Sequence, residues 1–388
     1  MAEPLFEQIF LNLKENIDSG SWKPGALLPT ENQLTAEYGV SRITAKRALD
    51  ELKRIGYIDR KRGSGSHVRA DFQMPAQQFS PKIVTLVLPF SEQLDSPSEV
   101  LSGLNPILTE NNIYLSIMNS GSKPSNERKI LEQLYRDRVS GVIFYPSSSL
   151  ANLDLYMRFA MANIPLITVD LSIGQFGNGM QIPSVVSDNF NGGYQAADYL
   201  HKLGHHNMMF VTERDVSFAS SIRDRYLGFC AAQQELGYDP DAHTLYNFGH
   251  LPNSLIVDSR SGEINPNLAN IDIWKNAASK MLDCPNPPTA LFCCYDFFAC
   301  SLLKTFQSLG VKVPEDISII GFDNILLSRY LDVPLTTITQ DFHAIGTELG
   351  KMMVRMINGP LLEQSNIVLP VELVPRKSTA APRQPAQL

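Results

Sequence analysis

The sequence predicts an α/β protein in two parts: a small N-terminal winged helix-turn-helix, then a larger body of two doubly wound parallel-sheet lobes. Three observations predict it. Residues 28–52 pack two short helical patterns and a glycine turn into one window. Residues 70–81, ADFQMPAQQFSP, hold two prolines and three glutamines without periodicity, which reads as a linker. Beyond them, short apolar runs alternate with amphipathic helical patterns to the end of the chain, as expected of parallel strands covered on both faces.

The N-terminal elements follow in order. Leu5, Ile9, Leu13 and Ile17 form an apolar stripe for a first helix, and Trp22, Pro24 and Gly25 turn the chain out of it. Thr30 is placed to cap a second helix, with Gln33 as its capping-box partner and Leu34, Tyr38 and Val40 as apolar positions. Gly39 ends that helix. Ser41 caps a third, whose apolar residues Ile43, Ala48, Leu49 and Leu52 are expected on one face. That leaves Arg42, Thr44, Lys46 and Arg47 outward near its start, a helix-turn-helix layout suited to DNA. A helical hairpin with a solvated basic face is the plainer reading of the same residues. Residues 56–69 add Asp59-Arg60-Lys61-Arg62, a Gly63-Ser64-Gly65-Ser66 tip and His67-Val68-Arg69, which predict a β-hairpin wing. A glycine tip lets backbone approach a phosphate or minor groove, and the basic run supplies counter-charge.

Charge is distributed accordingly. The chain carries a formal net charge of −7, which argues against general nucleic-acid affinity. Residues 42–69 nevertheless hold nine Lys/Arg against three Asp/Glu. A basic patch confined to one small module suits local binding of one DNA face. No apolar run of about 20 residues suggests a membrane span, and the charged amphipathic N-terminus does not read as a signal peptide. The five cysteines (Cys230, Cys284, Cys293, Cys294 and Cys300) are odd in number and lack C-x-x-C spacing. Free thiols in a reducing cytoplasm are expected, with neither disulfide nor metal site.

The body is expected to form strands at 83–88, 113–118, 141–145, 165–169, 208–211, 290–294 and 318–322. Helices are expected at 100–110, 127–138, 153–162, 192–203, 226–236 and 297–309. A body of this length favours two doubly wound lobes, with a ligand between them at the C-terminal strand ends. The stretch 248–272, rich in Asn, Ser and Gly, has no assignment beyond a surface loop.

Residues 4–69 resemble a GntR-type winged-helix domain. The matching strings are Gly20-Ser21-Trp22-Lys23-Pro24-Gly25, Leu28-Pro29-Thr30-Glu31, Gly39-Val40-Ser41-Arg42-Ile43-Thr44-Ala45-Lys46-Arg47-Ala48-Leu49 and Gly63-Ser64-Gly65. Asn32 departs from the family's common Arg at that position, leaving open which base it reads, since Asn pairs with adenine and Arg with guanine. Residues 82 to about 375 resemble the ligand domain of LacI-type regulators and the periplasmic sugar-binding proteins. That likeness rests on Val186-Ser187-Asp188-Asn189 with Gly192-Gly193, Arg223-Asp224-Arg225-Tyr226-Leu227-Gly228-Phe229 and Tyr295-Asp296. Residues 313–324, VPEDISIIGFDN, and 334–342, PLTTITQDF, complete it. The combination resembles an arabinose-repressor-like subgroup that joins a GntR head to a LacI-type body.

The resemblance implies a winged helix-turn-helix domain over 1–69, a linker over 70–81 and a periplasmic-binding-protein-like domain over 82–380. Its first lobe is expected at about 82–202 and 340–372, its second at about 203–339. For DNA the expected contacts are Glu31, Asn32, Ser41, Arg42, Thr44, Lys46, Arg47, Arg62, Gly65 and His67, with Glu31 able to accept from cytosine N4. For the ligand, the resemblance implies Asp188, Arg225, Asp296 and Gln340, with Phe90 and Phe342 as apolar walls. Arg223, Phe218, Tyr145 and Phe297 are further candidates. Carboxylates, Arg and Gln suit sugar hydroxyls, which both donate and accept. The plainer alternatives, which the ligand reading outweighs, are that Asp188 and Asp296 cap the helices that follow them and that Arg225 is a surface ion pair; Asp323 reads as a turn residue.

No catalytic set emerges, and no cofactor is expected. His201 and His205 are four apart, but Gly204 ends the helix between them, and Ser217, Ser220 and Ser221 lack a nucleophile-elbow context. The expected protein is therefore a cytoplasmic homodimer that binds operator DNA. By the resemblance it would repress carbohydrate-utilisation genes until a monosaccharide releases it, and arabinose is implied by the likeness to the subgroup alone. A sugar receptor without regulatory role, or a regulator sensing a nucleobase or sugar phosphate, are the alternatives.

Overall fold

The computed structural model describes residues 5–18, 20–61, 64–72, 81–89, 95–121, 123–147, 151–173, 181–212, 216, 219–238, 245–247, 272–359 and 366–383. Residues Met1–Pro81 form one compact unit and Lys82–Leu388 another.

In the first unit, α1 (Leu5–Asp18), α2 (Glu31–Tyr38) and α3 (Arg42–Arg54) precede a hairpin of β1 (Ile58–Lys61) and β2 (Gly65–Val68). Ile9, Leu13 and Ile17 of α1, Leu34 of α2 and Ala45, Ala48, Leu49 and Leu52 of α3 close a shared core with Ile58 and Val68. The local signals act as expected. Thr30 and Gln33 make both halves of the capping box, and Gly39 adopts φ +64° at the end of α2. Ser41 caps α3. The hairpin pairs antiparallel, from Ile58 opposite Val68 to Lys61 opposite Gly65.

The second unit contains β3 (Lys82–Leu88), α4 (Asp95–Glu110), β4 (Ile113–Asn119), α5 (Pro124–Arg136), β5 (Gly141–Phe144), α6 (Leu153–Met161), β6 (Leu166–Val169) and β7 (Ser184–Ser187). It continues through α7 (Asn189–Lys202), β8 (Met208–Thr212), α8 (Ser220–Glu235), β9 (Leu245–Asn247), α9 (Asp272–Leu282), β10 (Ala290–Cys293), α10 (Asp296–Ser308), β11 (Ser318–Asp323) and α11 (Leu326–Arg329). The last elements are β12 (Thr336–Thr339), α12 (Phe342–Asn358), β13 (Ile367–Leu369) and β14 (Glu372–Val374). These strands build two six-stranded sheets, ordered β4-β3-β5-β6-β7-β13 and β9-β8-β10-β11-β12-β14. The first is parallel throughout; in the second only β14 runs antiparallel, against β12. Each sheet repeats one doubly wound order, reversing beside its first strand, and ligands bind at such reversals. Near-continuous apolar strands such as Val142-Ile143-Phe144 and Ile319-Ile320 are fully buried, as a doubly covered sheet requires.

The chain crosses between the lobes three times, after β7, after β12 and after β13. This moves a boundary. The sequence assigned residues up to 202 to the first lobe, whereas Ala196, Ala197 and Leu200 of α7 lie in the core of the second. α12 is the helix returned to the first lobe, through Ile345, Leu349, Met352 and Met353. The helix expected from 226 begins earlier, at Ser220. The unassigned stretch 248–271 lies outside the described residues. The five cysteines are free. No helix among the described residues is long and apolar enough to cross a membrane.

Candidate nucleic-acid interface and ligand cleft

In the head, Glu31 organises the polar surface. Its carboxylate accepts from Arg42 Nε at 2.9 Å and from Arg60, which also pairs with Asp50. Arg42, then Arg60, hold the Glu31 carboxyl below its usual range. One carboxylate thereby links α2, α3 and the wing, while the Arg42 side chain stays 73% exposed. Ser41 Oγ accepts from the Thr44 amide at 3.2 Å and shares a 2.8 Å hydrogen bond with its hydroxyl, so both side chains start the helix. The Arg47 guanidinium lies 3.8 Å over the Phe6 ring, a cation–π contact that restrains a flexible side chain. Asn32 and Lys46 are exposed. Gly65 adopts φ +90°, and a Cβ there would meet Leu27 at 2.9 Å, so the wing turn is built for glycine. His67 is half-buried opposite Asp59. Arg62 lies outside the described residues.

Ile43 corrects the sequence reading. It is 81% exposed rather than part of the core face. The buried set is Ala45, Ala48, Leu49 and Leu52, an i, i+3, i+4, i+7 stripe. Two residues before Ala45, at about 100° per residue, Ile43 falls on the opposite side, between Arg42 and Thr44. The stripe from Ala45 was the signal that would have found it.

In the body, one cation stands at the centre. Arg225 of α8 is 2% exposed. Its Nε donates to Asn189 Oδ1 at 2.8 Å, its Nη1 to the Cys294 carbonyl at 2.5 Å, and its plane stacks 3.6 Å over Phe322. The Cys294 carbonyl places the guanidinium at the end of β10, beside the strand-order reversal of the second sheet. Nη2 stands 3.9 Å from Asp170 Oδ1 and 3.8 Å from Asp323 Oδ1. These separations exceed hydrogen-bond length and match a gap that a shared oxygen would bridge. Gln340 Nε2 donates to Asp323 Oδ1 at 2.6 Å, and its Oε1 accepts from Ser187 at 2.5 Å. Burial pushes the Asp323 carboxyl up to about 7, against the downward pull of Arg225. Burial, then the Asp170 charge, hold the Tyr145 phenol above its ordinary range. Ser221 donates to Asp170 at 3.1 Å and Ser220 accepts the Ser172 amide at 2.9 Å, so α8 is tied to the loop after β6. A small recess lined by Glu99, Asp323, Asn324, Arg329, Gln340 and Phe342 adjoins this group.

Of the expected ligand residues, the structure brings together Arg225, Gln340, Phe342 and Tyr145. Four others are engaged by contacts within the protein. Asp188 Oδ1 accepts the Asn191 amide at 3.0 Å and caps α7, the capping role the sequence left open. Asp296 is fully buried beside Asp323 and accepts from the Ile325 amide at 2.9 Å and from Thr337 Oγ1, so its carboxyl braces the turn after β11. Arg223 is exposed and pairs with its neighbour Asp224. Phe297 packs in the second-lobe core. Phe90 and Phe218 lie outside the described residues. Sequence reasoning missed Asp170 and demoted Asp323. Both directly follow or end an apolar strand, where a carboxylate reaches a cleft, and that was the available signal.

Comparison with known proteins matches this division. Residues 5–68 match the bacterial regulatory proteins of the gntR family. Residues 85–247 match the periplasmic binding proteins and sugar binding domain of the LacI family, and 197–379 a periplasmic binding protein-like domain. The arabinose metabolism transcriptional repressor of Geobacillus stearothermophilus is 27% identical, over 95% of this chain and 97% of its own. The HTH-type transcriptional regulator DegA of Bacillus subtilis is 29% identical, over 88% of this chain and 95% of its own. A LacI family transcriptional regulator from Enterococcus faecium, solved with bound ribose, superposes with a TM-score of 0.61 at 26% identity, over 77% of this chain and 99% of that one. The chain joins a gntR-type helix-turn-helix head to a LacI-type, periplasmic-binding-protein-like body.

Proposed function

We propose that this protein is a sugar-responsive transcriptional repressor of carbohydrate-utilisation genes, released from operator DNA by a neutral monosaccharide. The observation that carries the ligand class is the gap at Arg225 Nη2, flanked at 3.8–3.9 Å by Asp323 and Asp170. Adjacent hydroxyls of a sugar can accept from the guanidinium and donate to both carboxylates, satisfying all three. A phosphate would meet the same cation only between two carboxylates that repel it, which disfavours a sugar phosphate. Arabinose is the leading candidate, because a relative matched over nearly its whole length is an arabinose metabolism repressor. Asp170, Asp323, Arg225 and Gln340 hold the hydroxyls in this reading, with Tyr145 and Phe342 beside them. The protein acts as a homodimer, because two heads are needed to read half-sites one helical turn apart.

At the DNA, Arg42, Lys46 and Arg47 supply phosphate and base contacts, and Glu31 serves to orient Arg42 and Arg60 rather than to read cytosine. Asn32 and Gly65 add contacts from α2 and the wing. Ile43 meets a thymine methyl, the apolar feature of the major groove. Replacing that thymine by deoxyuridine should weaken wild-type binding and leave Ile43→Ala unaffected.

A thermal-shift panel of arabinose, ribose, nucleobases and sugar phosphates tests the effector class, since a bound ligand raises apparent stability by mass action. The active compound must then release labelled operator DNA. A shift with a sugar phosphate or nucleobase and none with a free monosaccharide would refute the reading.

A further inference from the structure

The turn that delivers Asp323 to the cleft is strained. Asp323 and Asn324 adopt φ +111° and +57°, two consecutive non-glycine residues at positive φ. Such residues persist only where their surroundings over-determine them. Here the restraint comes from behind the turn. The Asn324 amide donates to Thr337 Oγ1 at 3.4 Å, and its side-chain nitrogen to Thr339 Oγ1 at 3.2 Å. The next amide, of Ile325, is held by the buried Asp296. The remaining acceptor, Asn324 Oδ1, receives Arg376 Nη2.

Arg376 lies after the last strand, in the C-terminal segment. Its Nη1 donates to the Leu335 carbonyl at 2.7 Å and to Ser328 Oγ at 3.2 Å, spanning the loop from Asn324 to Leu335. The segment is itself fixed. The buried Ser378 Oγ accepts the Thr336 amide at 2.8 Å and donates to the Ile319 carbonyl at 2.6 Å, while the Ala380 amide donates to Ser318 at 3.0 Å. The buried His205 imidazole bonds the Ala380 carbonyl at 2.8 Å.

We infer that Arg376 is a positioning residue of the effector site, acting from the C-terminal segment through Asn324 to keep Asp323 aimed at Arg225. Its guanidinium hydrogen bonds go to Asn324, Leu335 and Ser328, so it acts on the turn rather than on Asp323 directly. The assignment deepens the sugar-cleft reading and rests on it for the effect on affinity, though not for the effect on the turn.

Three measurements on the full chain test it, with cooperative melting as the folding control. In Arg376→Met without sugar, hydrogen exchange of peptides covering 322–330 should quicken; unchanged exchange overturns the proposal whatever the ligand. The arabinose dissociation constant should rise about tenfold, with Arg376→Lys in between. Equal affinity in wild type and Arg376→Met overturns it. Because Arg376 acts through Asn324, adding Arg376→Met to Asn324→Gly should weaken binding little further, and fully additive losses would overturn that route. A wild type that binds no arabinose refutes the sugar reading instead, and the exchange measurement still decides the role of Arg376.

Discussion

Asp323 shows what a polar cleft costs the empty protein. Its carboxyl sits among buried groups with one near cation, and burial pushes it up to about 7 from the ordinary 3.8. The folded state therefore favours the protonated form. The resulting stability is fully present below the unfolded value and is lost as pH rises through about 7. Asp323→Asn keeps an acceptor for Gln340 and cannot ionise. In the sugar-free protein, its melting temperature relative to wild type should be higher at pH 8 than at pH 5. A pH-independent difference in calorimetry would remove the assignment. The same substitution should weaken sugar binding, since a carboxylate accepts two hydroxyl donors where an amide accepts one and repels the other. Arg225 and Arg42 separate the two proposed binding functions. Arg225→Ala should give a protein that stays on its operator at sugar concentrations that release wild type. Arg42→Ala should bind sugar normally and lose operator affinity by about 1–3 kcal/mol. Titrations of both variants with labelled operator and with sugar would expose either assignment as wrong.

At the level of elements, α7 and α8 show why the cleft residues stay in place. A Cβ on Gly193 would lie 1.9 Å from the Arg225 carbonyl oxygen, and one on Gly228 would lie 1.9 Å from that of Phe190. The two helices meet backbone to backbone, and the contact passes directly under Arg225. Gly228→Ala should cost about 1–3 kcal/mol by forcing the helices apart, measurable as a lower denaturation midpoint with an unchanged slope. The sequence showed these glycines inside helices but not what they touch, because the partner helix lies across a crossover. The head was legible for the opposite reason. Thr30 with Gln33, Gly39, Ser41 and the hairpin residues act within a few positions of themselves, so their signals are local. Ile43 escaped because the buried stripe had to be anchored on a small residue, Ala45, that carries little weight in hydrophobic patterning. In the body the strands were legible from continuous apolar runs, whereas the sheet that α7 covers depends on packing with distant residues such as Phe322 and Val371. Asp170 and Asp323 were hidden likewise. Each looks like a turn residue in sequence, and they become a site only where two lobes bring their strand ends to one guanidinium.

For the molecule as a whole, the proposed switch is constrained by linkage. A sugar can lower operator affinity only if it binds the DNA-free conformation more tightly than the DNA-bound one. The two effects must be equal: the factor by which arabinose weakens operator binding is the factor by which operator DNA weakens arabinose binding. Regulatory couplings of this kind amount to about 1–3 kcal/mol, or roughly 5–150-fold. Arabinose dissociation constants should therefore rise by that factor when saturating operator duplex is added, and a scrambled duplex at the same salt should have a smaller effect. Salt gives a second check, because the nine basic side chains in residues 42–69 make operator binding counterion-dependent while the neutral sugar releases no counterions. Log operator affinity should fall linearly with log salt, and sugar affinity of the DNA-free protein should stay nearly flat. Arabinose that binds with the same constant whether or not operator is present would leave a receptor and a DNA-binding head in one chain without a switch between them, and the repressor reading would fall even if both ligands bound.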